Sequence, residues 1–401
     1  MQKVLAWVLL ICLMLPANTV LASTETTWED WGIPLVKITV EKLDTWDSKS
    51  DERTAIFEYQ SADLNFTQEI EIKYQGTSSM AYPKKNFTIK LSEKVDMGMG
   101  WGAQKKYCLK ANYIDPTGAV NVVANRLAAK INERYGKLAD SPNFGQIDGF
   151  PIMVELNDQN WGLYTFNIPK EDWAFGMDND KSSPHVVVQC EVGTYNFTKK
   201  PKSGDWDVVV GDELPSRSMN KANKLIKAIR TSTEKNFTTT VEPMLDIDSC
   251  LNYMCFMLAT SGIDNRGKNL LLGSYDGAYW FPILYDLDTL WGYNWDGNSV
   301  IAADMMNLDY LRWNRLWARI IENYPQELKT RYFELREDIL SYENMVSELE
   351  AFRATVPEKC YEADLAKWGN GTHRIRTYEG TYEQMKAHLE VMDAEMEKLG
   401  N

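Results

Sequence analysis

Apolar and polar residues alternate along the first part of the chain. Lys37-Ile38-Thr39-Val40 and Glu69-Ile70-Glu71-Ile72-Lys73-Tyr74 keep a period of two, so residues 33–91 are predicted to form half-buried strands. A small, hydroxyl-rich loop, Gln75-Gly76-Thr77-Ser78-Ser79, then leads through Pro83 into a further strand that opens with two lysines. Lys85 shares the parity of Phe87, Ile89 and Leu91, which predicts that it points to the buried side and Lys84 outward. Residues 107–113 read as another strand. Asp115 and Pro116 then open a helix over 119–135 as N-cap and first residue, and Gly136 closes it. Residues 152–156 and 161–166 form a hairpin pattern. Residues 176–219, rich in Asp, Ser, Lys and Gly, read as an irregular insertion. Residues 220–230 read as a helix, and Asp246 or Asp248 caps another that ends at Gly262. Beyond Gly297 the period changes to that of helices, with Pro325 opening one and Thr381 with Gln384 forming a capping box. Met385, Leu389, Met392, Met396 and Leu399 make one apolar stripe, read as packing.

Residues 262–297 stand apart. Two apolar runs flank Asp276-Gly277, a dipeptide suited to a hairpin because both residues accept positive φ. With those two as the loop, Asn269 faces Leu284 and Leu271 faces Pro282. The open end then gathers Asp264, Asn269, Asp286 and Asp288. Pro282 cannot donate to a ladder, so it marks an edge or bulge where the register can slip by one. An Asp, an Asn five residues on and a later Asp is the order in which protein kinases carry their base and metal ligands. Magnesium takes hard oxygen ligands from a few such side chains and from nucleotide phosphates. The Gly/Ser loop offers backbone N–H groups to a phosphate, and a lysine beside it adds charge.

The chain has 401 residues, 44% of them hydrophobic and 25% charged, which is an ordinary globular composition. Residues 1–22, with Lys3, an apolar run over 4–15 and Val20-Leu21-Ala22, have the pattern of a secretory leader. Removing it takes the net charge from −14 to −15, which disfavours nucleic acid and anionic membranes as partners. No later segment is apolar enough to span a bilayer. Cys108, Cys190, Cys250, Cys255 and Cys360 then remain, an odd number with no disulfide pattern. His185, His373 and His388 are scattered, which argues against a zinc site or a histidine-based triad.

Three blocks together resemble the spore-coat protein H (CotH) kinase family. They are the loop, Pro-Lys-Lys and strand of 72–91; residues 108–126 with the hairpin of 152–166; and the Asp264 stretch with Tyr285-Asp286-Leu287-Asp288. The resemblance covers about residues 30–340. It implies an α+β, divergent protein-kinase-like two-lobed fold, a β-rich N-terminal lobe on a mainly helical C-terminal lobe with ATP between them. The domain would span 23–340, with 341–401 a helical extension packed on it. The resemblance implies Asp264 as the catalytic base and Asn269, Asp286 and Asp288 as ligands of Mg²⁺ or Mn²⁺. Ser78, Ser79 and Lys85 would face the phosphates of ATP. Gln75, Val120 and Ile168 stand where the family usually has two arginines and a glutamate.

The implied function is a secreted, ATP- and magnesium-dependent transferase acting on protein Ser/Thr hydroxyls outside the cytoplasm, on a basic or Ser-rich substrate. The alternative is a catalytically inactive structural, coat or adhesion protein on a cell or particle surface. A carbohydrate-active protein is a third class, suggested by fourteen tryptophans and the acids Asp286 and Asp288. Two acids on alternate positions of one short strand do not flank a sugar, however, and most of the tryptophans fall in core patterns.

Overall fold

The structure is a computed structural model that describes residues 25–300 and 306–400; the leader expected over 1–22 lies outside the described residues. After a single helical turn, α1 (Trp28–Trp31), seven strands follow: β1 (Leu35–Val40), β2 (Arg53–Gln60), β3 (Asn65–Gln75), β4 (Asn86–Asp96), β5 (Ala103–Lys110), β6 (Gly149–Leu156) and β7 (Gln159–Asn167). They close into a barrel in the order β1-β2-β3-β4-β5-β7-β6. Each neighbouring pair is antiparallel except the seam, where β1 and β6 run parallel from Leu35 beside Met153 to Ile38 beside Leu156. The alternating residues supply the interior: Ile38, Phe57, Ile72, Phe87, Ile89 and Phe166 are buried in one core.

Helix α2 (Val120–Tyr135) lies between β5 and β6 in the chain. Asp115 caps it without being its first flank: its Oδ2 accepts from Val120 N–H at 3.0 Å. Two strands, β8 (Val186–Cys190) and β9 (Trp206–Val210), follow β7. They join β10 (Leu271–Ser274) and β11 (Phe281–Ile283) in a second sheet of order β11-β10-β8-β9. Residues 176–219 are therefore not merely an irregular insertion; they supply half of this sheet. The helices are α3 (Pro215–Thr231), α4 (Phe237–Thr240), α5 (Ile247–Thr260), α6 (Leu308–Arg312), α7 (Arg315–Asn323), α8 (Pro325–Arg336), α9 (Tyr342–Arg353), α10 (Glu358–Trp368) and α11 (Tyr378–Lys398). Helix α5 is buried from Ser249 to Thr260, apolar on every side, and forms the middle of the largest core. Asp246 caps it by accepting from Ser249 N–H at 2.8 Å.

The α+β class stands, but the two-lobed kinase arrangement does not. The β-rich part is not an open sheet over a cleft; the parallel β1–β6 seam removes its free edge and makes a closed barrel. Two local expectations also change. Leu271 pairs with Ile283, one step from the expected register, because Asp276 holds a longer loop by accepting from Ala278 N–H and Tyr279 N–H at 2.7 and 2.8 Å. The last helix is capped by Thr377, which accepts from Gly380 N–H; Thr381 lies inside it. The stripe from Met385 to Leu399 is buried as expected. All five described cysteines are buried free thiols.

Candidate functional site

The motifs converge on one cavity of about 550 Å³. The loop after β3 forms one side. Gly76 has φ +113°, and a Cβ there would lie 1.9 Å from the Ser79 hydroxyl, so only glycine lets this loop fold back on itself. Ser78 and Ser79 sit in the following turn and line the cavity. The opposite side is the ends of β10 and β11. Asn269 and Asp286 both line it, each in the left-handed region at φ +62° and +57°, a conformation that Asn and Asp tolerate better than other side chains. Asn121 of α2 fixes the second turn by accepting from Leu287 N–H at 3.0 Å.

Asp264 lies one step behind the surface. Its Oδ2 accepts from Asn269 Nδ2 at 3.1 Å, so the two residues form a unit across five positions of chain. The turn that carries them is pinned at several points. Asn265 Nδ2 donates to Tyr285 O, Tyr253 Oη donates to Asn265 O, and Trp317 Nε1 and Asn314 Nδ2 both donate to Arg266 O. A Cβ on Gly267 would meet Tyr195 O at 2.6 Å, which explains a glycine there. Burial raises the Asp264 pKa; Lys268 opposes the shift and the Asp286 carboxylate adds to it. Asp288 also lines the cavity, and its pKa is pushed up to about 8 by burial and by Asp286, with Lys110 and Arg376 offsetting part of the shift.

The cavity is rich in cations. Lys49, Lys73, Lys84, Lys110, Lys170 and Lys268 line it, against the acids Asp115, Glu191, Asp286 and Asp288. Six lysines facing four carboxylates is a local reversal in a chain whose net charge is −14. Lys170 donates to Gln189 Oε1 and lies 4.5 Å over the Tyr285 ring; burial lowers its pKa, opposed by Glu191 and Asp286. The lysine parity is the reverse of the expectation. Lys85 does not line the cavity, and its ammonium is used up on the loop carbonyls of Met80 and Tyr82. Lys84 is 2% exposed and lines the wall. Strand β4 starts only at Asn86, so the alternation does not extend back to the two lysines.

Among the described residues, no three His, Cys, Asp or Glu side chains group closely enough to hold a metal alone. Asn269 and Asp286 are hard oxygen donors on one wall. A donor set this short fits an ion that takes its other ligands from nucleotide phosphates.

Lys84, Lys110, Lys170, Lys268 and Arg376 are the site residues that the motifs missed. Isolated lysines carry no spacing signal: Lys110 ends β5, and Lys84, Lys170 and Lys268 lie in loops. Arg376 comes from the segment before α11, where its Nη1 donates to Asp288 O and its Nη2 to Leu290 O, each at 3.0 Å. Gln75, also on the wall, leaves its Oε1 buried without a partner among the described residues. Val120 and Ile168 are each 1% exposed and packed in cores. Among the described residues, no helix is long and apolar enough to cross a membrane. Compared with known proteins, residues 72–396 match the family model described as CotH kinase protein. No curated protein matches the chain.

Proposed function

The chain belongs to the CotH kinase protein family, and on that premise we propose that it is an ATP-dependent phosphotransferase acting on protein Ser/Thr hydroxyls outside the cytoplasm. The observation that carries this is the cavity itself: a surplus of lysines beside a hydroxyl-rich loop, with Asn269 and Asp286 at the far wall and Asp264 hydrogen-bonded behind Asn269. Such a surplus in an acidic protein favours a polyanion, and a triphosphate fits the charge. Ser78, Ser79 and the loop N–H groups hold phosphate oxygens, joined by Lys84, Lys110 and Lys170. Asn269 and Asp286 hold Mg²⁺ or Mn²⁺, with Asp288 as a further acid; the ion supplies charge neutralisation on the phosphates when bound. The acceptor oxygen attacks the terminal phosphorus, the bond to the bridging oxygen breaks, ADP leaves, and Asp264 takes the hydroxyl proton. The raised pKa of Asp264 suits a group that must hold that proton.

A catalytically inactive coat or surface protein is the alternative. It is favoured by Gln75, Val120 and Ile168, which stand where the family usually has two arginines and a glutamate. Labelled phosphate incorporation into a Ser-rich basic peptide, or into the protein itself, separates the two. The wild type transfers phosphate, and Asp264→Asn lowers the rate roughly 10²–10⁴-fold while ATP affinity and melting temperature stay near wild type. ATP binding without transfer to any acceptor would favour the inactive protein. Full activity in Asp264→Asn would end the assignment of the base.

A further inference from the structure

We propose that Asp364 on α10, backed by Arg374, is a positioning residue of the phosphate site: it holds the Lys84 ammonium in place and keeps it charged toward the cavity. This rests on the reading of the cavity as a nucleotide site. Lys84 Nζ donates to Asp364 Oδ1 at 2.7 Å and to Leu163 O. The same Oδ1 accepts from Leu163 N–H at 3.0 Å, and Oδ2 accepts from Arg374 Nη2 at 2.6 Å. Arg374 Nη1 donates to Tyr113 O at 3.1 Å, and its guanidinium lies 5.0 Å from the centre of the Tyr113 ring, another wall residue. Lys84, Asp364 and Arg374 are 2%, 4% and 5% exposed.

Two features of this cluster point at a ligand. Its charges do not balance, since two cations share one carboxylate and a buried surplus charge is costly without a counter-ion. Its donors do not balance either. An ammonium has three N–H groups, two are used on Asp364 and Leu163, and Lys84 lines the cavity, where the third can meet a phosphate oxygen. The groups facing Lys84 are Asp364 from α10, Arg374 from the segment after it, and the Tyr164 ring of β7 at 4.5 Å, whose own ionisation burial pushes far up. Burial lowers the Lys84 pKa to about 8; Asp364 opposes the shift and Arg374 adds to it. Without the carboxylate, Lys84 gives up its charge at lower pH and keeps only the Leu163 carbonyl of its two anchors.

The test is calorimetric titration of the full chain with ATP and Mg²⁺ between pH 6.5 and 9, with circular dichroism to verify folding. Wild-type affinity falls up to about tenfold per pH unit above the Lys84 pKa, because only the ammonium binds phosphate well. Asp364→Asn begins this fall at lower pH and binds roughly tenfold more weakly near neutrality. Asp364→Glu restores much of the wild-type profile. Lys84→Arg, which does not titrate, binds ATP with no such fall and remains informative if Asp364→Asn does not fold. A folded Asp364→Asn with the wild-type affinity and profile overturns the proposal, as does Lys84→Arg keeping the wild-type fall. A wild type that binds no ATP at any pH sinks the nucleotide site itself, and this proposal with it.

Discussion

Gly162→Ala tests how α10 is seated on the barrel. Gly162 follows a bulge in β7, where pairing shifts between Val154 and Glu155 of β6, and its φ is +99°. A Cβ there would stand 2.3 Å from Asp364 Oδ1 and 3.1 Å from Trp368 Nε1. Neither atom is free to retreat. The carboxylate is bound to Lys84 and Leu163 N–H, and the indole donates to Trp161 O at 2.8 Å. Backbone strain at such a φ costs about 1–3 kcal/mol. Driving the carboxylate from its buried lysine costs about 3–5 kcal/mol. The two overlap, because moving the carboxylate relieves the contact, so the expected loss is on the order of 3–5 kcal/mol. A chain of this size has a melting entropy near roughly 0.8 kcal/mol/K, so the midpoint falls by about 4–6 °C. Scanning calorimetry and urea unfolding of both proteins measure this. A variant that melts within about 1 °C of wild type would refute the seating of Asp364 against this strand.

Three further outcomes follow from the site. Asp286→Asn weakens binding of Mn²⁺ with ATP while leaving the metal-independent part of nucleotide binding intact; equal calorimetric titrations of variant and wild type would remove Asp286 as a ligand. In EDTA, stability falls as pH rises toward 8. The folded state keeps the Asp288 proton that the unfolded chain gives up near its ordinary value, so the stability present at acid pH is lost through that window. Asp288→Asn should flatten the change in melting temperature between pH 5 and pH 9, and a slope equal to wild type would contradict it. Lys85→Ala should lower the melting temperature slightly by freeing the carbonyls of Met80 and Tyr82, and should leave ATP affinity near wild type. A large loss of affinity would return Lys85 to the phosphates.

Much of the barrel was legible because its strands are half-buried. Period two in Lys37–Val40 and Glu69–Tyr74 reports one face in the core and one in water. Its closure was not legible, since Leu35 to Ile38 read the same beside an open edge as beside Met153 to Leu156, a partner more than a hundred positions away. Strands β8 and β9 were hidden because Val186-Val187-Val188 and Val208-Val209-Val210 are short apolar runs inside a polar stretch, too brief to show a period. Spacing and turn chemistry single out Ser78, Ser79, Asn269, Asp286 and Asp288, and the structure brings them to one cavity. Lys84 was missed by extending a strand's parity past its first residue. Asp364 and Arg374 had no local signal, because their meaning comes from a residue on the far side of the chain.

That distance has a consequence for biosynthesis. Lys84 and Asp364 are 280 residues apart, so at about 5–20 residues per second the counter-ion leaves the ribosome some tens of seconds after the lysine. The barrel strands end at Asn167, so all seven are available long before that. A nascent barrel that closes early leaves this ammonium without its carboxylate, on a wall that stays open to water until α10 docks. Maturation of the nascent protein is thus tied to its final segments. A polypeptide cut short anywhere before residue 364 carries its own mark of incompleteness, a loose wall that proteases can enter.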